Sequence, residues 1–324
     1  MINEEVSFTS LVKDEVSLLE LEEVDHVKAL LSGFIKINGS LLVRNGEWVI
    51  QIHTENKKTA KLIQKEIKNH FDVTTRIIVT EKRRLRVNKD NTIIIIEISK
   101  GARKMLEGLE IISDEQGFET TPSKEILKDN ECRRAYLAGC FLASGSVNSP
   151  KTSNYHLEIV VSDQSYANFL VKTLHKFYIE AKTIKRRNNY VVYIKRSEKI
   201  ADFLRIIGAH RCLMEFENVR IQRDQYNSVN RVYNCDIAND MKSMKTGSEQ
   251  LEMITYIDKM IGIDNLDENL RELAHIRYEN PEASLNEIKD IYEEESGKTI
   301  SKSGIYHRFQ KIMSIGEKLK EGKN

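Results

Sequence analysis

Residues 31–40, Leu-Ser-Gly-Phe-Ile-Lys-Ile-Asn-Gly-Ser, return 106 residues later as Leu-Ala-Gly-Cys-Phe-Leu-Ala-Ser-Gly-Ser at 137–146, with no gap and with Leu, Gly, Gly and Ser shared. A repeat at fixed offset implies one structural unit used twice, which constrains the fold before composition does. The segments downstream of each copy are parallel too. Trp48 to His53 and Tyr155 to Val161 alternate like half-buried strands. Ala60, Ile63, Ile67 and Phe71 mark a helix in the first half; Phe169, Leu170, Leu174 and Phe177 mark its counterpart. Two strands come next, near Thr74–Val79 and Thr92–Ile98, then near Ala181–Arg186 and Tyr190–Lys195. A helix closes each half, Ala102–Leu109 and Ile200–Ile207. The expected unit is α-β-β-α-β-β-α, present twice. A chance match of ten residues would not carry that order of further elements with it.

The first helix of each unit shows what the motif does. Gly33 and Gly139 leave a bare face on which two helices can cross with their backbones close together. Gly39 and Gly145 stand where each helix ends and are expected in the left-handed C-cap conformation. The motif resembles a degenerate LAGLIDADG sequence, the seam helix of the homing endonucleases of that name. The resemblance implies that Asn38 and Ser144 occupy the positions where those enzymes hold catalytic Mg²⁺ with Asp. Lys36 and Leu142 replace the motif's other Asp. Mg²⁺ requires hard anionic oxygens, so an amide, a hydroxyl and a nearby lysine imply an inherited fold and a lost nuclease. Asp163 is an available carboxylate, better read as a solvated turn residue. Lys82, Arg83, Arg84, Arg86 and Lys89 fall between the last two strands of the first half, and Lys182, Lys185, Arg186 and Arg187 lie in the matching hairpin. The resemblance implies that this sheet lies on DNA. Arg83, Arg84, Arg86, Lys185, Arg186 and Arg187 are therefore candidate secondary DNA-facing residues; the alternative is a pair of solvated hairpin tips.

From Thr246 onward strand signals stop. Leu251, Ile254, Ile257 and Ile261 form one apolar stripe and Leu270, Leu273 and Ile276 a second. Ser284-Leu285-Asn286-Glu287 is a capping box. The helix it starts is interrupted at Gly297, and Ser301 is a candidate N-cap for a last helix that buries Ile305, Phe309 and Ile312. Helix, glycine turn and helix at this spacing form a helix-turn-helix. Its exposed face is expected to carry Ser303, Tyr306, His307, Gln310 and Lys311. The full set of candidate DNA contacts is Ser284, Lys298, Ser301, Lys302, Ser303, Tyr306, His307, Arg308, Gln310 and Lys311. Short donors and amides suit base edges, and lysines suit phosphates. The competing reading is a plain trihelical interaction domain. No acid, serine or cysteine constellation accompanies His307 and Arg308, so catalysis there is not expected. Cys212 near His210 is expected as a core residue.

Composition sharpens this placement. The chain of 324 residues holds 50 Lys+Arg against 49 Asp+Glu, a balance that alone argues against nucleic acid. By segment it is uneven: residues 264–295 carry 11 acids and 3 Lys/Arg, and residues 296–324 carry 7 Lys/Arg and 2 acids. That segregation is expected when one helix faces DNA and its supports face water. Four dispersed cysteines without a C-x-x-C pair argue against a zinc site or a disulfide framework and fit a reducing cytosol. No cofactor and no metal is expected. The longest aliphatic run is Ile93–Ile96, and the N-terminus is acidic, which argues against a membrane span and a signal peptide.

The double repeat joined to a helix-turn-helix resembles one bacterial family, WhiA, over nearly the whole chain. The resemblance rests on Ser7–Ser10, Tyr155–Ile159, Ile207–His210, Asn227–Arg231, Asn234–Asn239, Ile300–Ile305 and His307-Arg308. It implies a cytoplasmic, nucleoid-associated, non-enzymatic protein that binds double-stranded DNA. It further implies a role in cell division, chromosome segregation or sporulation as a transcription regulator, with other division or transcription proteins as partners. Tyr306 and Gln310 stand where the family has Asn and Arg, and Asp240–Met244 departs from its linker pattern. The expected architecture is α+β: a first LAGLIDADG-like repeat (1–118), a second (119–222), a linker (223–247) and an all-α helix-turn-helix domain (248–324). Two other functions stay open on sequence, an endonuclease using non-motif carboxylates and a protein-interaction platform in division.

Overall fold

A computed structural model describes residues 6–81, 92–113 and 117–322. A leading helix, α1 (Phe8–Val16), precedes the first repeat. That repeat comprises α2 (Val24–Asn38), β1 (Gly39–Arg44), β2 (Glu47–Thr54), α3 (Lys57–His70), β3 (Thr74–Glu81), β4 (Thr92–Lys100) and α4 (Ala102–Gly108). A small hairpin, β5 (Ile112–Ser113) and β6 (Gly117–Phe118), separates it from the second. The second repeat comprises α5 (Asn130–Ser144), β7 (Gly145–Val147), β8 (Leu157–Val161), α6 (Gln164–His175), β9 (Lys182–Arg186), β10 (Asn189–Ile194) and α7 (Ser197–Ile206). The helical remainder is α8 (His210–Ile261), a 3₁₀ turn (Ile263–Asn265), α9 (Glu268–Glu279), α10 (Leu285–Ser296) and α11 (Lys302–Glu321). The α-β-β-α-β-β-α order is present twice, and the class is α+β followed by all-α.

The chain divides into two units after Arg223. In the first, each repeat forms an antiparallel four-stranded sheet, ordered β1-β2-β4-β3 and β7-β8-β10-β9. The same order in both halves is what a duplicated unit requires. Period-two patterning sets which face is buried: Leu157, Ile159 and Val161 of β8 point inward, as do Ile94, Ile96 and Ile98 of β4. Between the sheets the seam helices α2 and α5 cross. A Cβ on Gly33 would stand 2.5 Å from the Tyr136 carbonyl oxygen, and one on Gly139 would press still closer on that of Leu30. The bare faces are a condition of the crossing.

The expected left-handed caps do not form. Gly39 (φ −81°, ψ 135°) and Gly145 (φ −70°, ψ 146°) are extended, because each helix passes directly into a strand. Glycine is needed there for space: a Cβ would lie 2.5 Å from the Ile35 carbonyl oxygen or 2.6 Å from that of Phe141. Residues 223–247, expected as a linker, are helical within α8. No Gly or Pro occurs from His210 to Thr246 to interrupt that helix. Its first turns add Cys212, Leu213 and Phe216 to the first unit's core, and its last turns add Met253, Ile254 and Ile257 to the second's. Among the described residues, no helix is long and apolar enough to cross a membrane.

Candidate nucleic-acid interface

The second unit is organised to present α11. At the start of α10 the capping box forms in both directions. The Glu287 amide donates to Ser284 Oγ at 3.3 Å, and the Ser284 amide donates to Glu287 Oε2 at 2.7 Å. Bonds to its ionised form from Ser284, the backbone amide first and then the side chain, hold the Glu287 carboxyl below the usual range. Gly297 (φ 67°) ends α10 in the left-handed region. The turn beyond it is pinned by Glu293, which accepts from the Ile300 amide at 2.9 Å and from Lys289 Nζ at 3.1 Å. The Ile300 amide first, and then Lys289, hold its carboxyl below the ordinary value. Ser301 then caps α11 by accepting from the Gly304 amide at 3.1 Å. Ile305, Phe309 and Ile312 are fully buried. Their spacing leaves the opposite stripe of α11 facing water.

One buried cation joins these parts, and no motif in the sequence marks it. Arg277 of α9 is 1 % exposed. Its Nε donates to Gln250 at 3.1 Å, one terminal amino group donates to the Ala283 carbonyl at 2.6 Å, and its guanidinium lies 5.4 Å from the Phe309 ring centre. It therefore ties α8, the turn before α10 and α11 together. Burial pulls its pKa down. A signal was available: Arg277 continues the phase of Leu270, Leu273 and Ala274, where an apolar residue is expected.

The candidate contacts separate into two groups. Ser301, Lys302, Ser303, Tyr306, His307, Gln310 and Lys311 are exposed on α11 or at its first turn. Ser301 and Ser303 share a hydroxyl contact at 2.9 Å, and Tyr306 meets His307 edge-on at 5.8 Å. Lys302, Gln310 and Lys311 have no ion-pair or hydrogen-bond partner among the described residues. The other three are engaged within the fold. Ser284 caps α10, Lys298 reaches Glu272 at 3.6 Å, and Arg308 is half-buried with its guanidinium 5.0 Å from the Tyr292 ring centre. Arg308 follows His307 by about 100° of helical rotation, which turns it off the exposed stripe.

In the first unit, Arg83, Arg84 and Arg86 fall in 82–91, outside the described residues. In the β9–β10 hairpin Lys185, Arg186 and Arg187 are all exposed. Both terminal amino groups of Arg186 reach Glu158, at 3.2 and 3.3 Å. Burial pushes the Glu158 carboxyl up, but His156 and Arg186 outweigh it and bring it below its ordinary value. Lys185 lies 5.9 Å from the Tyr190 ring centre, and Arg187 occupies the left-handed region at the hairpin tip (φ 56°). The cationic surface of this hairpin is thus smaller than its residue count.

The C-terminal ends of the seam helices border an open cavity of about 450 Å³. Asn38 Nδ2 donates to the carbonyls of His53 (2.9 Å) and Ala143 (3.0 Å), and Ser144 Oγ donates to that of Val160 (2.7 Å). Both side chains act as donors to backbone, the reverse of a metal ligand. Lys36 enters the same cavity and donates to the Glu119 carbonyl, with its pKa lowered by burial against the pull of Asp163 and Glu119. Asp163 accepts from the Tyr166 amide at 2.8 Å as the N-cap of α6. This donor set does not fit Mg²⁺.

Comparison with known proteins covers almost the entire chain. Residues 24–112 match the model of the WhiA N-terminal LAGLIDADG-like domain, residues 133–226 that of the WhiA LAGLIDADG-like domain, and residues 229–316 that of the WhiA C-terminal HTH domain. The chain is 42% identical over 317 residues to the probable cell division protein WhiA of Bacillus subtilis (strain 168), covering 98% of each. The corresponding Staphylococcus aureus (strain USA300) protein has the same identity and coverage. Among solved structures it is similar to full-length DUF199/WhiA from Thermatoga maritima, with a TM-score of 0.58, 27% identity, and coverage of 97% of this chain and 99% of that one.

Proposed function

The chain belongs to the WhiA family, and from that premise we propose that it is a non-enzymatic protein of the bacterial cytoplasm that binds double-stranded DNA through α11. It acts at the nucleoid in cell division, with chromosome segregation, sporulation and transcriptional control as the processes it influences. The observation that carries this reading is the exposed stripe Lys302, Ser303, Tyr306, His307, Gln310 and Lys311 on a helix anchored at its cap, turn and buried face. A rigid helix with its N-terminal donors outward fits the major groove. Lys302 and Lys311 suit phosphates; Ser303, His307 and Gln310 suit base edges. Tyr306 and Gln310, in place of the family's Asn and Arg, remove a bidentate contact to guanine and shift the preferred site.

The first unit contributes a scaffold whose former catalytic positions are neutral, inward-donating and flanked by a lysine. Lys185 and Arg187 give it a weak electrostatic contact with phosphates, and it offers surface for division or transcription partners. The test is genome-wide mapping of bound DNA for wild type and the Lys302→Ala/His307→Ala double variant, with duplex affinity measured on the purified proteins. Loss of discrete sites and a fall in affinity of at least ~10-fold are expected. Unchanged occupancy would overturn the reading. So would Mg²⁺-dependent plasmid nicking by the wild-type protein that disappears on mutating a carboxylate near Ser144.

A further inference from the structure

The repeat also brings together residues at the opposite, N-terminal ends of the seam helices. Its 106-residue offset makes Glu23 of the first copy equivalent to Asp129 of the second, and His26 equivalent to Cys132. Both pairs lie at the N-terminal ends of α2 and α5, the two helices that pack against each other at the seam. Ligand atoms of His26, Asp129 and Cys132 all lie within 4.8 Å of one another. We propose that these three side chains form a binding site for one divalent transition-metal ion of Zn²⁺ type, clamping the N-terminal ends of α2 and α5.

The chemistry of the set is specific. Imidazole, thiolate and carboxylate together suit borderline-soft Zn²⁺ and are a poor match for Mg²⁺ or Ca²⁺. Tetrahedral zinc with bonds of about 2.0–2.3 Å holds its ligand atoms roughly 3.3–3.6 Å apart, so the three close by about an ångström. Asp129 divides its role: Oδ1 accepts from the Cys132 amide at 2.7 Å as the N-cap of α5, which fixes the carboxylate beside the thiol. Glu23 occupies the N-cap position of α2 without making a side-chain cap bond and stands 3.6 Å from His26. It supplies a fourth ligand or holds a water in that position. His26 is 19% exposed, which opens the site to solvent, whereas Cys132 forms its buried floor.

Charge balances locally. Two helix N-termini disfavour a cation, but thiolate and carboxylate together carry two negative charges against the ion's two positive ones. The Cys132 thiol, pushed up to about 11 by burial and then by its bond to Asp129, gives its proton to solvent as the metal–sulfur bond forms. Spacing along the chain could not show such a site, because the cysteine's partner ligand lies 106 residues upstream and not in a C-x-x-C pair.

The full-length reduced protein is titrated with Co²⁺ and then with Zn²⁺. One Co²⁺ per chain is expected, with thiolate-to-cobalt charge-transfer absorption and tetrahedral ligand-field bands that Zn²⁺ displaces. Cys132→Ser should abolish the charge-transfer band, and His26→Gln or Asp129→Asn should each weaken Zn²⁺ at least tenfold. Asp129→Asn keeps the helix cap, and melting of each metal-free variant checks that it is folded. Cys235→Ser, at an exposed thiol, should change nothing. Absence of a charge-transfer band in wild type, its survival in Cys132→Ser, or undiminished Zn²⁺ affinity in His26→Gln would overturn the proposal.

Discussion

Two polar regions of this protein differ in where their hydrogen-bonding groups point. At the C-terminal ends of the seam helices, Asn38 and Ser144 direct every assigned donor to backbone carbonyls, and Asp163 caps a helix. On α11, Lys302, Gln310 and Lys311 face water with no partner among the described residues. In the first region these groups serve as structural support, where a substitution costs stability. The second has stability supplied from beneath, by Ile305, Phe309 and Arg277, so the fold does not depend on its outer side chains. Unused hydrogen-bonding capacity, more than charge alone, is what the proposed DNA-binding face has and the seam lacks.

That contrast can be broken by substitution. The largest effect belongs to the seam. Gly139→Ala forces a methyl group against the Leu30 carbonyl and should cost about 3 kcal/mol or more, read as a lower denaturant midpoint of the first unit. Arg277→Ala leaves Gln250 and the Ala283 carbonyl unpaired in the second unit. A loss of about 3 kcal/mol is expected, with weaker duplex binding as a consequence of a loosened α11. Asn38→Asp replaces a donor with an acceptor facing two carbonyls. It should lower stability by about 2 kcal/mol and restore no Mg²⁺-dependent cleavage. A gain of cleavage would show that the site is one charge away from catalysis.

Two smaller effects sharpen the contrast. Burial lowers the Lys13 pKa from 10.5 to about 8, against the pull of Glu55. Between those values the unfolded chain binds the extra proton. Lys13 therefore penalises folding fully below about pH 8, and the penalty fades as pH rises towards 10.5. Lys13→Met should stabilise the protein by roughly 1–2 kcal/mol at pH 7, and melts at pH 7 and 10 should show the difference shrinking. The smallest change in stability belongs to Lys302→Ala/His307→Ala, within about 0.5 kcal/mol, alongside the large loss of DNA affinity. A variant that lost both together would place the recognition face within the scaffold.

Much of the fold was legible in the residues because its determinants are local. Alternation in Tyr155–Val161 identified a strand, which the fold forms over Leu157–Val161 with one buried face, and apolar spacing in Ile305, Phe309 and Ile312 identified the last helix. The capping box at Ser284 and the turn at Gly297 are likewise properties of short segments. Local patterns mislead where the cause is distant. Gly39 and Gly145 suggested left-handed caps, yet extended strands leave directly from both helices and glycine is required for clearance. Arg308 belonged to a basic helix, but its guanidinium lies over Tyr292 of the preceding one.

The sequence by itself determined the duplication, the order of elements within each copy, the helix-turn-helix and its exposed stripe, since these arise from repeat offset, periodicity and capping chemistry. Only the tertiary structure decided which polar groups remain available. It directed Asn38 and Ser144 to carbonyls, Arg186 to Glu158 and Arg277 to the heart of the second unit, and it brought His26 to Cys132 across the seam. The physical reason is range: periodicity and caps act within a few residues, whereas satisfaction of a buried polar group depends on whatever the fold places beside it.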